Sequence, residues 1–160
     1  MKSRLYFSLD TLQSEDDFDD IPTSGFADRE GIPYFIRLNE QRSIIPERFV
    51  YDLAPVGDDV FSCVQEIAKI WRDWELNYYA GVVPLSTHPN GEVGDSRYKS
   101  LLSYLEQQVG KLSRQYSLGA EFSTSPERER VSKPLIGKRW PVPGWYSREL
   151  EITWRPEYEV

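Results

Sequence analysis

"DSRYKSLLSYLEQQVGKLSRQYSLG", from Asp95 to Gly119, is the stretch on which the fold turns. Tyr98, Leu102, Leu105, Val109, Leu112 and Tyr116 recur in it at spacings of 4, 3, 4, 3 and 4. At about 100° per residue these side chains form one apolar stripe, with Leu101 the main addition. The spacing predicts a helix from about Asp95 to Leu118, closed by Gly119. A second stripe lies upstream, between Asp58 and Ala80. There Val60, Val64, Ile67, Trp71, Trp74 and Tyr78 repeat at the same spacings, and Phe61, Cys63, Ala68, Ile70 and Tyr79 widen the face. Asp58 fits an N-cap, and Gly81 fits a left-handed C-terminal cap. The wider face implies burial on two sides, against a partner helix and a sheet.

Period-2 alternation marks strands outside the helix pair. Leu5, Phe7 and Leu9 alternate with Tyr6 and Ser8; Tyr34, Ile36 and Leu38 alternate with Phe35 and Arg37; Phe49, Tyr51 and Leu53 alternate with Val50 and Asp52. The cleanest strand comes last, with Leu150, Ile152 and Trp154 alternating with Glu151, Thr153 and Arg155. Pro22 and Gly25 read as loop. Strands, a helix pair and a final strand predict an α+β protein, a small, mostly antiparallel sheet packed against an antiparallel pair of helices. A length of 160 residues fits a single domain over residues 1–160.

The net charge of −7 is concentrated near the start of the chain. Residues 10–30 carry eight acids (Asp10, Glu15, Asp16, Asp17, Asp19, Asp20, Asp28, Glu30) against one base, Arg29, and the other 139 residues balance at 18 and 18. Residues 126–155 lean the other way, with seven bases against four acids. The chain reads as a near-neutral domain with an acidic loop or docking segment at about 10–30. One cysteine makes no internal disulfide. The N-terminal residues lack the continuous apolar run of a signal peptide, and no stretch approaches the ~20 apolar residues of a membrane helix. The expectation is a soluble, cytoplasmic protein with no membrane association.

Most catalytic and cofactor chemistries fail on their residues. His88 is the single histidine, which removes paired-His zinc sites; beside Ser86 and Thr87 in "THPNGE" it reads as part of a turn. Cys63 lies on the apolar stripe and behaves as a small hydrophobe. "SKPLIGKRW" ends in Gly137-Lys138 but has Ser132 and Arg139 where a phosphate loop needs Gly and Ser or Thr. Counted from Asp17, a calcium loop would need Gly at Pro22 and Glu at Asp28. No metal or cofactor is expected. Glu75 is the anomaly: a carboxylate inside the apolar face, flanked by Trp71, Trp74 and Tyr78. Buried, it could act as a general acid, and a second carboxylate within about 5 to 9 Å would support a hydrolase.

Two segments carry binding chemistry. "EDDFDDI", Glu15 to Ile21, sets Phe18 and Ile21 among carboxylates, an acidic-hydrophobic pattern suited to docking on a basic surface. "KPLIGKRWPVPGWY", Lys133 to Tyr146, sets Lys133, Lys138 and Arg139 beside Trp140, Trp145 and Tyr146. Those are interface anchors, core-closing residues, or stacking platforms for nucleic acid; the acidic pI near 4.8 weighs against nucleic acid. The sequence therefore points to a non-catalytic, macromolecule-binding protein of adaptor, inhibitor or immunity type, with a protein partner of basic surface. The first candidates for contact are Asp16, Asp17, Phe18, Asp19, Asp20, Lys138, Arg139, Trp140 and Trp145. A carboxylate- or metal-dependent hydrolase is the alternative, a nucleic-acid-binding module the third reading, and a homodimer is also compatible.

Overall fold

A computed structural model of the chain describes residues 2–12, 21–45, 47–89, 91, 95–124 and 150–155. Six strands, β1 (Ser3–Leu12), β2 (Ile21–Arg29), β3 (Ile32–Leu38), β4 (Phe49–Pro55), β5 (Tyr116–Thr124) and β6 (Leu150–Arg155), close into a barrel in sequence order. Every pairing is antiparallel, including the closing one, where Ser3 faces Ile152 and Arg4 faces Glu151. Two helices, α1 (Asp58–Tyr79) and α2 (Ser96–Val109), form a crossover between β4 and β5. The expected open sheet against a helix pair is thereby corrected: the protein is mostly β, and its principal core is the inside of a closed barrel.

Two misread stretches account for the correction. The second helix ends at Val109, not Leu118. Gly110 stays right-handed, the next turn tightens through Lys111 N–H to Gln108 O and Leu112 N–H to Val109 O, and Gln115 N–H then donates to Leu53 O at 2.7 Å. That last bond draws the chain into register with β4, so Tyr116 and Gly119 belong to a strand. The other stretch is β2, which runs straight through Pro22 and Gly25. A Cβ on Gly25 would sit 2.5 Å from the Phe7 carbonyl oxygen. Glycine here permits close approach of two backbones rather than a turn.

The barrel interior is lined by Leu5, Ala27, Tyr34, Ile36, Tyr51, Leu53, Leu118, Leu150 and Ile152, among others, with Phe122 and Trp154 packed against them. A second apolar cluster joins Phe7, Phe26 and Phe35 to Val60, Val64, Ile67, Trp71, Tyr98, Leu101 and Leu105 of the helices. β3 divides cleanly by pleat: Tyr34, Ile36 and Leu38 point inward and Phe35 toward the helices. β1 does not. Its register shifts between Leu5 and Phe7, so Leu5 faces the interior while Tyr6 and Phe7 both join the helix cluster. Expected face-sharing of Leu5, Phe7 and Leu9 is thus broken by a bulge. α1 contacts both β1 and α2, the two-sided burial its wide face implies.

Local chemistry fixes the ends. Gly57, not Asp58, is the α1 N-cap, and Asp58 and Asp59 occupy the first turn, where carboxylates favour the helix dipole. At the other end Gly81 is left-handed (φ 81), with Gly81 N–H donating to Tyr78 O and Val82 N–H to Asn77 O. That pair of bonds is a Schellman cap. Asp95 caps α2 by accepting from Tyr98 N–H at 3.0 Å. Glu30 and Gly31 both take positive φ (53 and 78) in the tight β2–β3 turn.

Gly25→Ala is expected to cost about 2 to 3 kcal/mol in urea denaturation, because the clash is with backbone. Gly57→Ala, where added atoms meet open space, stays within about 0.5 kcal/mol. Tyr51 is fully buried and donates to Pro22 O at 2.7 Å; burial holds its phenol well above the ordinary value of 10. Burial, with help from the Tyr116 hydroxyl, pushes Tyr34 up to about 12. The folded state thus favours neutral phenols, while unfolded tyrosines ionise near pH 10. Stability from this source is complete below pH 10 and is lost as pH climbs toward 12. Tyr51→Phe should lose about 1 to 2 kcal/mol at pH 7, yet decline less steeply than the parent above pH 10.

Candidate functional site

Antiparallel order assigns each connection to one rim of the barrel. β1 ends at Leu12 beside Ile21, β3 ends at Leu38 beside Tyr51, and β5 ends at Thr124 beside Leu150. The connections 13–20, 39–48 and 125–149 therefore all leave from the same rim. Asp16, Asp17, Phe18, Asp19 and Asp20 fall in the first, and Lys138, Arg139, Trp140 and Trp145 in the third; all nine lie outside the described residues. The positions at which the chain leaves and rejoins the barrel for both segments are described, and they lie at one rim.

Between them stands the 39–48 loop, which sequence reading passed over. Ser43 organises it: its hydroxyl donates to Asn39 O at 2.7 Å and accepts from Val50 N–H at 2.9 Å. Asn39 Oδ1 accepts from Arg42 N–H, and its Nδ2 donates to Asp52. Ile44 and Arg48 exchange backbone bonds of 2.8 and 2.7 Å. At the tip of this braced loop, Ile44 and Ile45 are 56% and 44% exposed. Two adjacent isoleucines in water, held by a loop that cannot easily collapse onto them, form an apolar projection. "SIIPE" carries the pair in plain view, but their exposure depends on hydrogen bonds that periodicity does not report.

The opposite rim is closed. Arg29 Nη1 donates to the Tyr116 hydroxyl at 2.9 Å, and its guanidinium lies 5.2 Å from that ring. Tyr34 meets Tyr116 edge-on at 5.8 Å, and Trp154 Nε1 donates to Ser3 Oγ and Asp28 O. These bonds use the polar groups of large aromatics to seal the barrel mouth.

Glu75 borders a groove of about 240 Å³ between β1 and α1. Its side chain is 4% exposed, as its place on the apolar stripe implies. Lining it with Glu75 are Arg4, Tyr6, Gln65, Lys69 and Arg72, which bring three cations and, among the described residues, no second carboxylate. Among the described residues, no three His, Cys, Asp or Glu side chains gather closely enough to hold a metal ion.

His88 packs between two indoles of α1, 4.5 Å from Trp71 and 4.8 Å from Trp74, both edge-on. Thr87 Oγ accepts from Trp74 Nε1 at 2.9 Å and donates to Pro84 O at 2.7 Å. The hydroxyl nearest the histidine in sequence is thus spent on tethering the crossover. Cys63 is buried, with Sγ donating toward Leu101 O at 3.5 Å. Burial, then the Glu66 carboxylate, raises its thiol above the ordinary value against the pull of Arg97. Arg97 itself grips Glu66 through two bonds of 2.6 and 3.0 Å, joining α2 to α1.

Compared with protein-family models, curated proteins and solved structures, the chain matches none at a significant level. Among the described residues no helix is long and apolar enough to cross a membrane.

The Cys63 thiol should resist a disulfide reagent at pH 8 in the native protein and react at once in denaturant. Rapid modification of the native thiol would show that the α1–α2 seam opens readily.

Proposed function

We propose that this protein works by binding a macromolecular partner through the rim carrying the 13–20, 39–48 and 125–149 connections, without catalysing a reaction. The observation that carries the reading is the Ile44–Ile45 projection, exposed on a loop stiffened by Ser43 and Asn39. A preformed loop loses little entropy on docking, so the burial of its apolar tip goes largely into affinity. Strand polarity supports the same surface. The acidic connection, with five carboxylates between Glu15 and Asp20, and the aromatic-basic connection both begin and end at strand ends on this rim. The partner that suits these features is a protein with a basic surface beside an apolar hollow. Carboxylates would speed encounter and set orientation, while the isoleucines would slow dissociation. An adaptor or an inhibitor would both act this way.

The experiment is a comparative affinity capture with three baits: the parent, a variant with Asp16, Asp17, Asp19 and Asp20→Asn, and Ile44→Ser/Ile45→Ser. A protein retained by the parent and lost from both variants is the expected result. Its capture should weaken as salt is raised for the parent and much less for the Asn variant. Equal recovery by all three baits would remove the rim from consideration. Recovery of nucleic acid instead of protein would favour the stacking reading of Lys133 to Tyr146.

A further inference from the structure

The groove between β1 and α1 is independent of the rim, and its chemistry points elsewhere. Five of its side chains are hydrogen-bond donors at neutral pH: Arg4, Tyr6, Gln65, Lys69 and Arg72. The Tyr6 phenol belongs with them because burial and the nearby Asp28 keep it protonated. Among the lining residues one carboxylate, Glu75, stands against these at 4% exposure, with Asp28 beside Arg4 and Asp73 beside Lys69 at the margin. Arg72 and Glu75 are engaged within the fold. Arg4 rests against the Tyr6 ring, 5.5 Å from its centroid, and Lys69 holds Asp73 at 2.8 Å in an exposed pair one helical turn apart. Such a surface pair is weak and readily shared with a stronger anion. From the strand side comes a flat guanidinium, and from the helix side an ammonium one turn from a second guanidinium. Cations from two elements facing one hollow repel each other unless an anion lies between them.

We infer that this groove is a binding site for a small phosphate-bearing molecule. Phosphate fits better than carboxylate because its three terminal oxygens can use several donors at once, and five donor side chains line the groove beside one carboxylate. The charge on Glu75 then works against the ligand and limits affinity. This gives an unusual signature: removing that carboxylate tightens binding, whereas removing either exposed cation weakens it.

The test is a titration of isotope-labelled protein with inorganic phosphate at constant ionic strength, followed by amide NMR shifts, with acetate in parallel. Saturable shifts centred on Gln65 and Lys69 are expected, with weaker or no saturation by acetate. Arg4→Gln and Lys69→Gln, both exposed, should each lower phosphate affinity about fivefold, the effect of one charge a few Å away in a partly wet site. Glu75→Gln should raise affinity by a similar factor, and Arg48→Gln, on the distant loop, should change nothing. Non-saturating shifts, or affinity unchanged from the parent in both the Arg4 and Lys69 variants, would mean an adventitious ion only and overturn the site. Acetate binding as tightly as phosphate would overturn the ligand class. Should Glu75→Gln fail to fold, the two exposed variants still decide.

Discussion

The register shift between Leu5 and Phe7 is the constraint from which the rest of the architecture follows. A strand with a strict two-residue period can serve one apolar layer on each face, alternately. β1 has to serve the barrel interior at Leu5 and then present Tyr6 and Phe7, consecutive residues, to the helices. One extra residue in β1 resolves the conflict by rotating the strand locally. The rotated segment leaves no room for a side chain at Gly25 on the facing strand. Without the shift, one of the two large aromatics would turn away from α1, and the helix layer would lose part of its seat. Tyr6 meets Phe61 edge-on at 5.1 Å and borders the groove with Arg4. The same bulge therefore shapes the donor-rich hollow on the flank.

The two ends of the barrel divide the work. At one, Arg29, Tyr34, Tyr116 and Trp154 spend their polar groups on each other and on nearby backbone. At the other, polar side chains brace a loop that lifts apolar ones into solvent. Asp52 ties that loop to the sheet, accepting from Ser117 at 2.6 Å and from Asn39 at 3.2 Å, with Arg114 3.9 Å away. A carboxylate with several donors holds its place, and the loop inherits that order.

How much of this was readable in the sequence depended on whether a segment served one layer or two. β3, β4 and β6 show their alternation because their inward faces are uniformly apolar. α1 announced its two-sided burial through the width of its stripe. β2 hid because its inward positions are small and it carries Pro22 and Gly25, residues that normally punctuate. β5 hid for a different reason: Leu112 to Tyr116 is a spacing that a helix and the approach to a strand can share, and only the bond from Gln115 to Leu53 decides between them. The site was less legible than the fold. Glu75 stood out as a carboxylate among tryptophans, but Arg4, which faces the same groove, is far away in the chain. The isoleucine pair was visible, but nothing in its neighbours' hydropathy says that Ser43 and Asn39 hold it outward.

The order of strands also has a consequence for how the chain is made. Each strand pairs with its predecessor, but two pairings span long stretches of chain: β5 returns to β4 after the whole helical crossover, and β6 must also find β1, the first strand of the barrel. A ribosome delivers β1 through β5 before Leu150 appears, and during that interval the outer edges of β1 and β5 have no β6 to pair with. Closing long loops is slow, and exposed edges recruit other strands. Until the six residues from Leu150 to Arg155 pair, the barrel cannot close. Those residues act as a latch: one short segment covers the free edges of β1 and β5 together.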